Sequence, residues 1–287
     1  MGDYFPPERR GWANGWVLAG MAAGQIAGIP LGTVLAARWG FQLPFLAFAA
    51  SMALSFLLVW RFVPQPPVRR YTGPMDVRYV SGHYAVLVMR PYVAAAVLAV
   101  AGNFLGAALY VLYLPAWLER ARGATPGQVA LLFAAGGIAT ALAGPPAGRL
   151  SDRIGRKRLV IGASAGLTAA MLATPWLVRG LPAAYALFFV AMVLVAARAG
   201  PLQALLTEIV PAEQRGSLMS LSMAVGQGGY GVGGALAGPV YGAYGYAGTA
   251  TLAALSALGV AVLVWRFLPE TRAATPLPPG ALPAPPG

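Results

Sequence analysis

The stretch VWRFVPQ occupies residues 59–65, and it returns almost unchanged as VWRFLPE at residues 264–270. The offset between positions 59 and 264 is 205 residues. Extended backwards without a gap, the same offset pairs DYFPPERRG at 3–11 with EIVPAEQRG at 208–216. The first 64 residues are therefore predicted to be a duplicated unit, a pattern typical of membrane proteins built from two related halves.

The composition favours a lipid environment over water. Apolar residues make up 58% of the chain, charged residues only 10%, and the mean hydropathy is +0.67. Apolar runs of about 20 residues, enough to cross the membrane as helix, recur along the chain. They lack the alternation of a membrane barrel, so we predict an all-α integral membrane protein. Eight spans are predicted, near 13–37, 43–63, 91–117, 126–147, 159–178, 182–206, 217–240 and 246–268.

The basic residues predict the orientation of these spans. If the amino terminus is cytoplasmic, fifteen of the twenty Lys and Arg residues fall on the inner side, four fall on the outer side, and Arg198 lies inside a span. Because inner loops carry the excess of positive charge, both termini are predicted to be cytoplasmic. All seven tryptophans lie near predicted span ends, where an amphipathic ring prefers the headgroup layer.

The repeat predicts more helices than the chain contains. Residues 91–205, with four spans, precede the second copy of the unit, and their counterparts would lie before residue 1. About 115 residues and four helices are therefore expected upstream, giving twelve spans in two halves of six. The predicted divisions are the last two helices of the first half (1–64), a central cytoplasmic loop (65–90), the second half (91–268) and a disordered Pro-rich tail (269–287).

The densest charge cluster is GRLSDRIGRKR at 148–158, between the fourth and fifth spans. It resembles the loop signature G-x-L-x-D-R-x-G-R-K of the major facilitator superfamily. The resemblance implies a major facilitator-type bundle of which helices five to twelve are present, and a conformational latch centred on Asp152. The alternative is a solvated basic loop that only sets topology. The matching residues are Gly148, Leu150, Asp152, Arg153, Gly155, Arg156 and Lys157, with Glu208, Glu213 and Arg215 as expected latch partners.

A second resemblance lies in the first span, where GMAAGQIAGIPLG places four glycines at four-residue spacing. It is similar to the glycine-proline motif in helix five of the superfamily's proton-driven exporters, although Ile29 separates Gly28 from Pro30 here. The alternative is plain packing, because small residues on one face let helices approach closely. The motif comprises Gly20, Gly24, Gly28, Pro30 and Gly32.

Several polar side chains inside the spans could line a central cavity. Burying Arg198 in the membrane costs a few kcal/mol, so it is expected to face a cavity or a partner, or else to snorkel toward the headgroups. The uncharged candidates could equally form hydrogen bonds between helices. The predicted cavity or substrate residues are Gln25, Asn103, Tyr110, Tyr113, Arg198, Gln203, Gln227 and Tyr230.

Enzymatic chemistry has little support, because the spans lack paired carboxylates, a histidine constellation, or a nucleophile with a base. No cofactor or metal is expected; the chain has no cysteine, and its one histidine, His83, falls in the central loop. We attribute the net charge of +12 to the basic residues on the cytoplasmic side of the membrane, and no nucleic-acid partner is expected. Without a nucleotide-binding loop, an ion gradient is the expected energy source.

The chain looks most like bacterial drug or metabolite exporters of the superfamily. The prediction is a plasma-membrane antiporter of the bacterial inner membrane, monomeric when full length, that couples protons to efflux of a small amphiphilic compound. The coupling carboxylate would lie in the upstream helices. Two alternatives stay open: ion-coupled uptake of an organic anion or other nutrient, for which Arg198 discriminates, and a non-transporting membrane remnant.

Overall fold

A computed structural model describes residues 24, 28–63, 84 and 88–269. Eight helices follow one another, and no strand occurs in these ranges. Most of the first predicted span, most of the central loop with His83, and the tail after residue 269 lie outside the described residues. The helices are α1 (Ile29–Trp39), α2 (Gln42–Phe62), α3 (Pro91–Val111), α4 (Leu114–Arg122), α5 (Pro126–Ile154), α6 (Arg156–Leu177), α7 (Leu181–Glu208) and α8 (Ala212–Phe267).

The helix boundaries follow from proline at the starts and glycine at the ends. Thr125 begins α5 with a reciprocal cap: its hydroxyl accepts from the Gln128 amide at 3.3 Å, and its own amide donates to Gln128 Oε1 at 2.8 Å. Gly123 ends α4 with φ 65°, and Gly155 separates α5 from α6 with φ 100°. These positive φ values suit glycine because it has no Cβ.

The predicted spans need two corrections. The span predicted at 91–117 is two helices, because α3 ends at Val111 and α4 begins at Leu114. The span predicted at 126–147 continues to Ile154, so the 148–158 motif, predicted to be a loop between two spans, is helical except at Gly155. Six helical segments of the described chain are long and apolar enough to cross a membrane, counting α3 with α4 and α8 as one each.

Helix α8 is a hairpin of two spans. A straight helix of its 56 residues would be about 84 Å long, far more than a bilayer core of ~30 Å. It breaks at Gly245, with φ 63° and ψ −164°. In the first arm (212–244), Gly229 lies against residue 101 of α3 and Gly233 against residue 105, so this arm runs parallel to α3. In the second arm (246–267), residue 260 lies against residue 102 of α3 and residue 253 against residue 106, so this arm runs antiparallel to α3. The arms therefore run antiparallel, as the predicted spans 217–240 and 246–268 require.

Helix α3 lies against both arms at backbone distance. A Cβ added to Gly229 would lie 2.4 Å from the Ala101 carbonyl oxygen, and one added to Gly233 would lie 2.7 Å from that of Leu105. On the other arm, the Ser256 hydroxyl donates to the Gly102 carbonyl at 2.6 Å. Such approach maximises dispersion contacts, which matter because the hydrophobic effect does not drive helices together in lipid.

Aromatic residues join the helices at the end of the bundle opposite residues 148–158. The Tyr246 hydroxyl donates to the Tyr110 carbonyl at 2.9 Å, and the Trp117 ring stacks on Tyr246 with centroids 4.6 Å apart. The Tyr110 hydroxyl shares a 2.8 Å hydrogen bond with Thr174. Helices α3, α4, α6 and α8 are thereby fixed at this opposite end.

Helices α1 and α2 contribute little to this core. Helix α1 packs against α5 and α2, but no residue of α2 is buried. The side chains of Phe45, Phe48 and Phe56 are each at least 60% exposed. An apolar helix with no buried residue would be unfavourable in water. It is compatible with lipid, where the exposure of apolar side chains carries no free-energy cost.

We predict that Gly229→Ala destabilises the protein. The added methyl group would overlap the Ala101 carbonyl, so α3 and α8 must separate, at a cost of about 1–3 kcal/mol. The thermal unfolding midpoint of the purified protein measures this. Gly228→Ala is the matched control, because no atom lies within 4 Å of its added Cβ. Equal midpoints for the two variants would contradict the described approach of α3 to α8.

Candidate functional site

The charged motif at 148–158 is a helix end followed by a one-residue turn. Helix α5 runs to Ile154, where the Gly155 amide donates to the Ser151 carbonyl at 3.0 Å. Gly155 then adopts φ 100° and ψ 134°, and α6 begins at Arg156. The turn therefore holds the start of α6 directly beside the end of α5, and we call this end of the bundle the motif end.

Arg156 is the centre of the charge cluster at the motif end. Its Nη2 lies 3.3 Å from Asp152 Oδ1, and its Nη1 donates to Glu208 Oε1 at the end of α7. The Arg156 side chain is 18% exposed, against 55% for Asp152 and 30% for Glu208. The expectation that Asp152 would be the centre is therefore corrected, since the guanidinium has donors enough for both carboxylates.

Lys157 makes a separate link at the same end. Its Nζ donates to the Leu268 carbonyl at 2.6 Å, just beyond the last residue of α8. A cation is favourable at a helix C-terminus, where carbonyl groups lack helical partners. Together, Arg156 and Lys157 connect the motif-end termini of α5, α6, α7 and α8.

The remaining motif residues and expected latch partners are less engaged. Gly148 has no atom within 4 Å of an added Cβ, Leu150 is 45% exposed, and Arg153 is exposed. Arg215 is exposed on α8, and no ion pair among the described side chains includes it. The side chain of Glu213 lies outside the described part of the structure.

Arg198 is buried within the helical body. Its side chain is 3% exposed, and its Nη2 donates to Asn103 Oδ1 on α3. No described residue accepts a hydrogen bond from its Nε or Nη1. This burial argues against snorkelling, which would leave the guanidinium at an exposed end of the helix. The structure thus joins two of the predicted cavity residues, Arg198 and Asn103.

None of the other described polar candidates forms a hydrogen bond with this pair. Tyr110 is 1% exposed and forms a hydrogen bond with Thr174 on α6, the contact between helices that was the alternative to a cavity role. The ring of Tyr113 stacks on that of Tyr241, with centroids 4.7 Å apart. The remaining described candidates are exposed, and Gln25 lies outside the described residues. The exposed ones are Gln203, Gln227 and Tyr230.

The glycine motif of the first span is partly described. Gly20 lies outside the described residues, and α1 begins at Ile29 with Pro30 in its first turn. No atom lies within 4 Å of a Cβ added to Gly24, Gly28 or Gly32. The repeat equivalents of Gly24 and Gly28 are Gly229 and Gly233, which α3 covers at backbone distance.

Among the described residues, no group of three or more His, Cys, Asp or Glu side chains could hold a metal ion. Apart from hydroxyl contacts such as that of Ser256 with Gly102, the described polar contacts between helices are the Arg156 and Lys157 links at the motif end, the hydrogen bonds at the opposite end, and Arg198 with Asn103 between them. Sequence reasoning missed the Lys157 link, because a backbone carbonyl acceptor 111 residues away has no sequence signature.

Known structures share this fold. A D-xylose-proton symporter superposes with a TM-score of 0.67 at 21% identity, over 93% of this chain and 66% of that one. The xylose transporter XylE from E. coli in an inward-open conformation gives 0.63 at 20% identity, over 96% and 66%. A bacterial homologue of the human lysosomal transporter Spinster superposes with a TM-score of 0.52 at 16% sequence identity, over 92% of this chain and 70% of that one.

Sequence comparison gives a relative and a family. The chain is 31% identical over 168 residues to the multidrug resistance protein MdtG of Dickeya zeae (strain Ech586). The match covers 54% of this chain but only 38% of the length of MdtG. The family model of the Major Facilitator Superfamily matches residues 1–116 and 96–286, nearly the whole chain. The motif at 148–158 and the helical fold agree with this match, and the chain belongs to the Major Facilitator Superfamily.

Proposed function

We propose that this chain works in a secondary active transporter of the bacterial inner membrane that exports a small amphiphilic compound in exchange for protons. The observation that carries the proposal is the 31% identity to a multidrug resistance protein. The absence of a nucleotide-binding loop from the sequence supports coupling to an ion gradient. Uptake of an organic anion is the second candidate, and the buried guanidinium of Arg198 favours it.

The mechanism we propose is alternating access between two six-helix halves, with residues 1–64 in the first half, 65–90 linking them, and 91–268 forming the second. Helices α3 and α8 approach at backbone distance, which favours movement of the second half as a unit. Arg156 and Lys157 tie four helix ends together at the motif end. We propose that these contacts bias the equilibrium between inward-open and outward-open states.

Export is tested by the accumulation of a fluorescent amphiphilic dye in bacterial cells. Cells that produce the protein should accumulate less dye than cells with an empty vector, because export opposes passive entry. A protonophore should abolish the difference, since it dissipates the proton gradient. Equal accumulation in both strains would contradict export, and a difference that survives the protonophore would contradict proton coupling.

The proposed orientation places both termini and the motif end in the cytoplasm. The chain has no cysteine, so single cysteines can be labelled without background. In intact spheroplasts, a membrane-impermeant maleimide should label Arg179→Cys, in the loop between α6 and α7. It should label Arg153→Cys, at the motif end, only after permeabilisation. The reverse pattern would place the motif end outside.

The role of the motif end is tested by Glu208→Gln. This change keeps the shape of the side chain but removes the charge that pairs with Arg156, so we expect a loss of about 1–2 kcal/mol of stability and slower dye export. Glu119→Gln is the matched control, because Glu119 is an exposed carboxylate at the opposite end. Export rates and unfolding midpoints that are equal in the two variants would rule out a conformational role for the ion pair.

A further inference from the structure

We propose that Arg198, held by Asn103, binds a carboxylate group carried by the transported compound. The inference rests on the proposed transport function and specifies its substrate class. It begins from the buried state of the guanidinium: the side chain is 3% exposed, yet its Nε and Nη1 have no acceptor among the described residues. Buried polar groups in folded proteins are rarely left without partners.

The free donors of Arg198 match a carboxylate. A guanidinium carries five N–H donors in a planar fork. Its Nη2 carries two of them, and Asn103 Oδ1 accepts from this atom. Whichever of the two hydrogens Asn103 takes, the other lies parallel to the free N–H of either Nη1 or Nε. A complete two-donor fork therefore remains, the geometry in which arginine binds both oxygens of a carboxylate.

No described carboxylate is placed to neutralise Arg198. Asp152 and Glu208 lie at the motif end, where both pair with Arg156. Glu119 is exposed on α4, at the opposite end. A buried charge is stable only when it is paired and hydrogen-bonded, and Asn103 supplies a hydrogen bond but no charge. The site as described is therefore complementary to an anion.

Arg198 also lies at the depth where a transported compound would be bound. Ten residues of α7 separate it from Glu208, which is about 15 Å of helix. Asn103 is twelve residues into α3 from Pro91, which is about 18 Å. Both residues are thus near the middle of a hydrocarbon core of ~30 Å, where transporters of this construction hold their substrates.

The experiment compares benzoate with benzamide, which has the same ring but no charge and a different donor pattern. Thermal unfolding of the purified chain in detergent is measured at increasing concentrations of each compound, because a ligand that binds the folded state raises the midpoint. We expect benzoate, but not benzamide, to raise it. Arg198→Lys should weaken the benzoate response by at least about tenfold, because an ammonium is a point charge without a fork.

Two further variants separate binding from folding. Arg198→Gln should abolish the benzoate response. Asn103→Asp should also abolish it while preserving or raising the unfolding midpoint, because the new carboxylate would itself pair with Arg198. Arg179→Gln is the matched control, since Arg179 is an exposed arginine outside the site, and it should respond to benzoate like the unmodified protein.

A benzoate response that persists in Arg198→Gln, or equal responses to benzoate and benzamide, would overturn the proposal. The proposal would also be overturned if benzoate leaves the midpoint of the unmodified protein unchanged. These measurements need no membrane gradient. A chain that binds benzoate at Arg198 but exports no dye would contradict the proposed export while leaving the carboxylate site intact.

Discussion

The structure depends above all on the contact between the backbones of α3 and α8. Gly229 and Gly233 bring one arm of α8 onto the carbonyl groups of Ala101 and Leu105, and Ser256 binds the Gly102 carbonyl from the other arm. In lipid, apolar side chains gain little by leaving the solvent, so close packing and hydrogen bonds must hold the helices together. Elsewhere in the described bundle, α6 packs on α8, and α7 packs on both α5 and α6.

Polar contacts at both ends complete that arrangement. At the motif end, Arg156 and Lys157 join four helix termini, and at the opposite end Tyr246 and Tyr110 link α8, α3 and α6. Between these ends the described body is almost entirely apolar, and Arg198 is its exceptional charge. The described bundle is thus a packed body that is fixed at both ends, with one incompletely paired cation near its middle, and the proposed movement of a transporter half builds on this arrangement.

Much of the fold could be predicted from the sequence, because hydropathy, the repeat and the 148–158 signature are each patterns that extend over many residues. The break between α3 and α4 was missed because hydropathy continues unchanged through it, although Pro115 in the first turn of α4 is a sequence signal for a new helix. In the site, charge patterning singled out Arg198 and the Asp152 cluster. It could not show that Arg156 is the centre, or that Arg198 binds Asn103, because both depend on how helices distant in sequence are packed.

The turn at Gly245 has a consequence for how the protein is made. The two arms of α8 are separated by a single non-helical residue, so there is no hydrophilic loop between them. The short connection favours insertion of the two arms as one helical hairpin. Their joint arrival would complete the surface against which α3 docks.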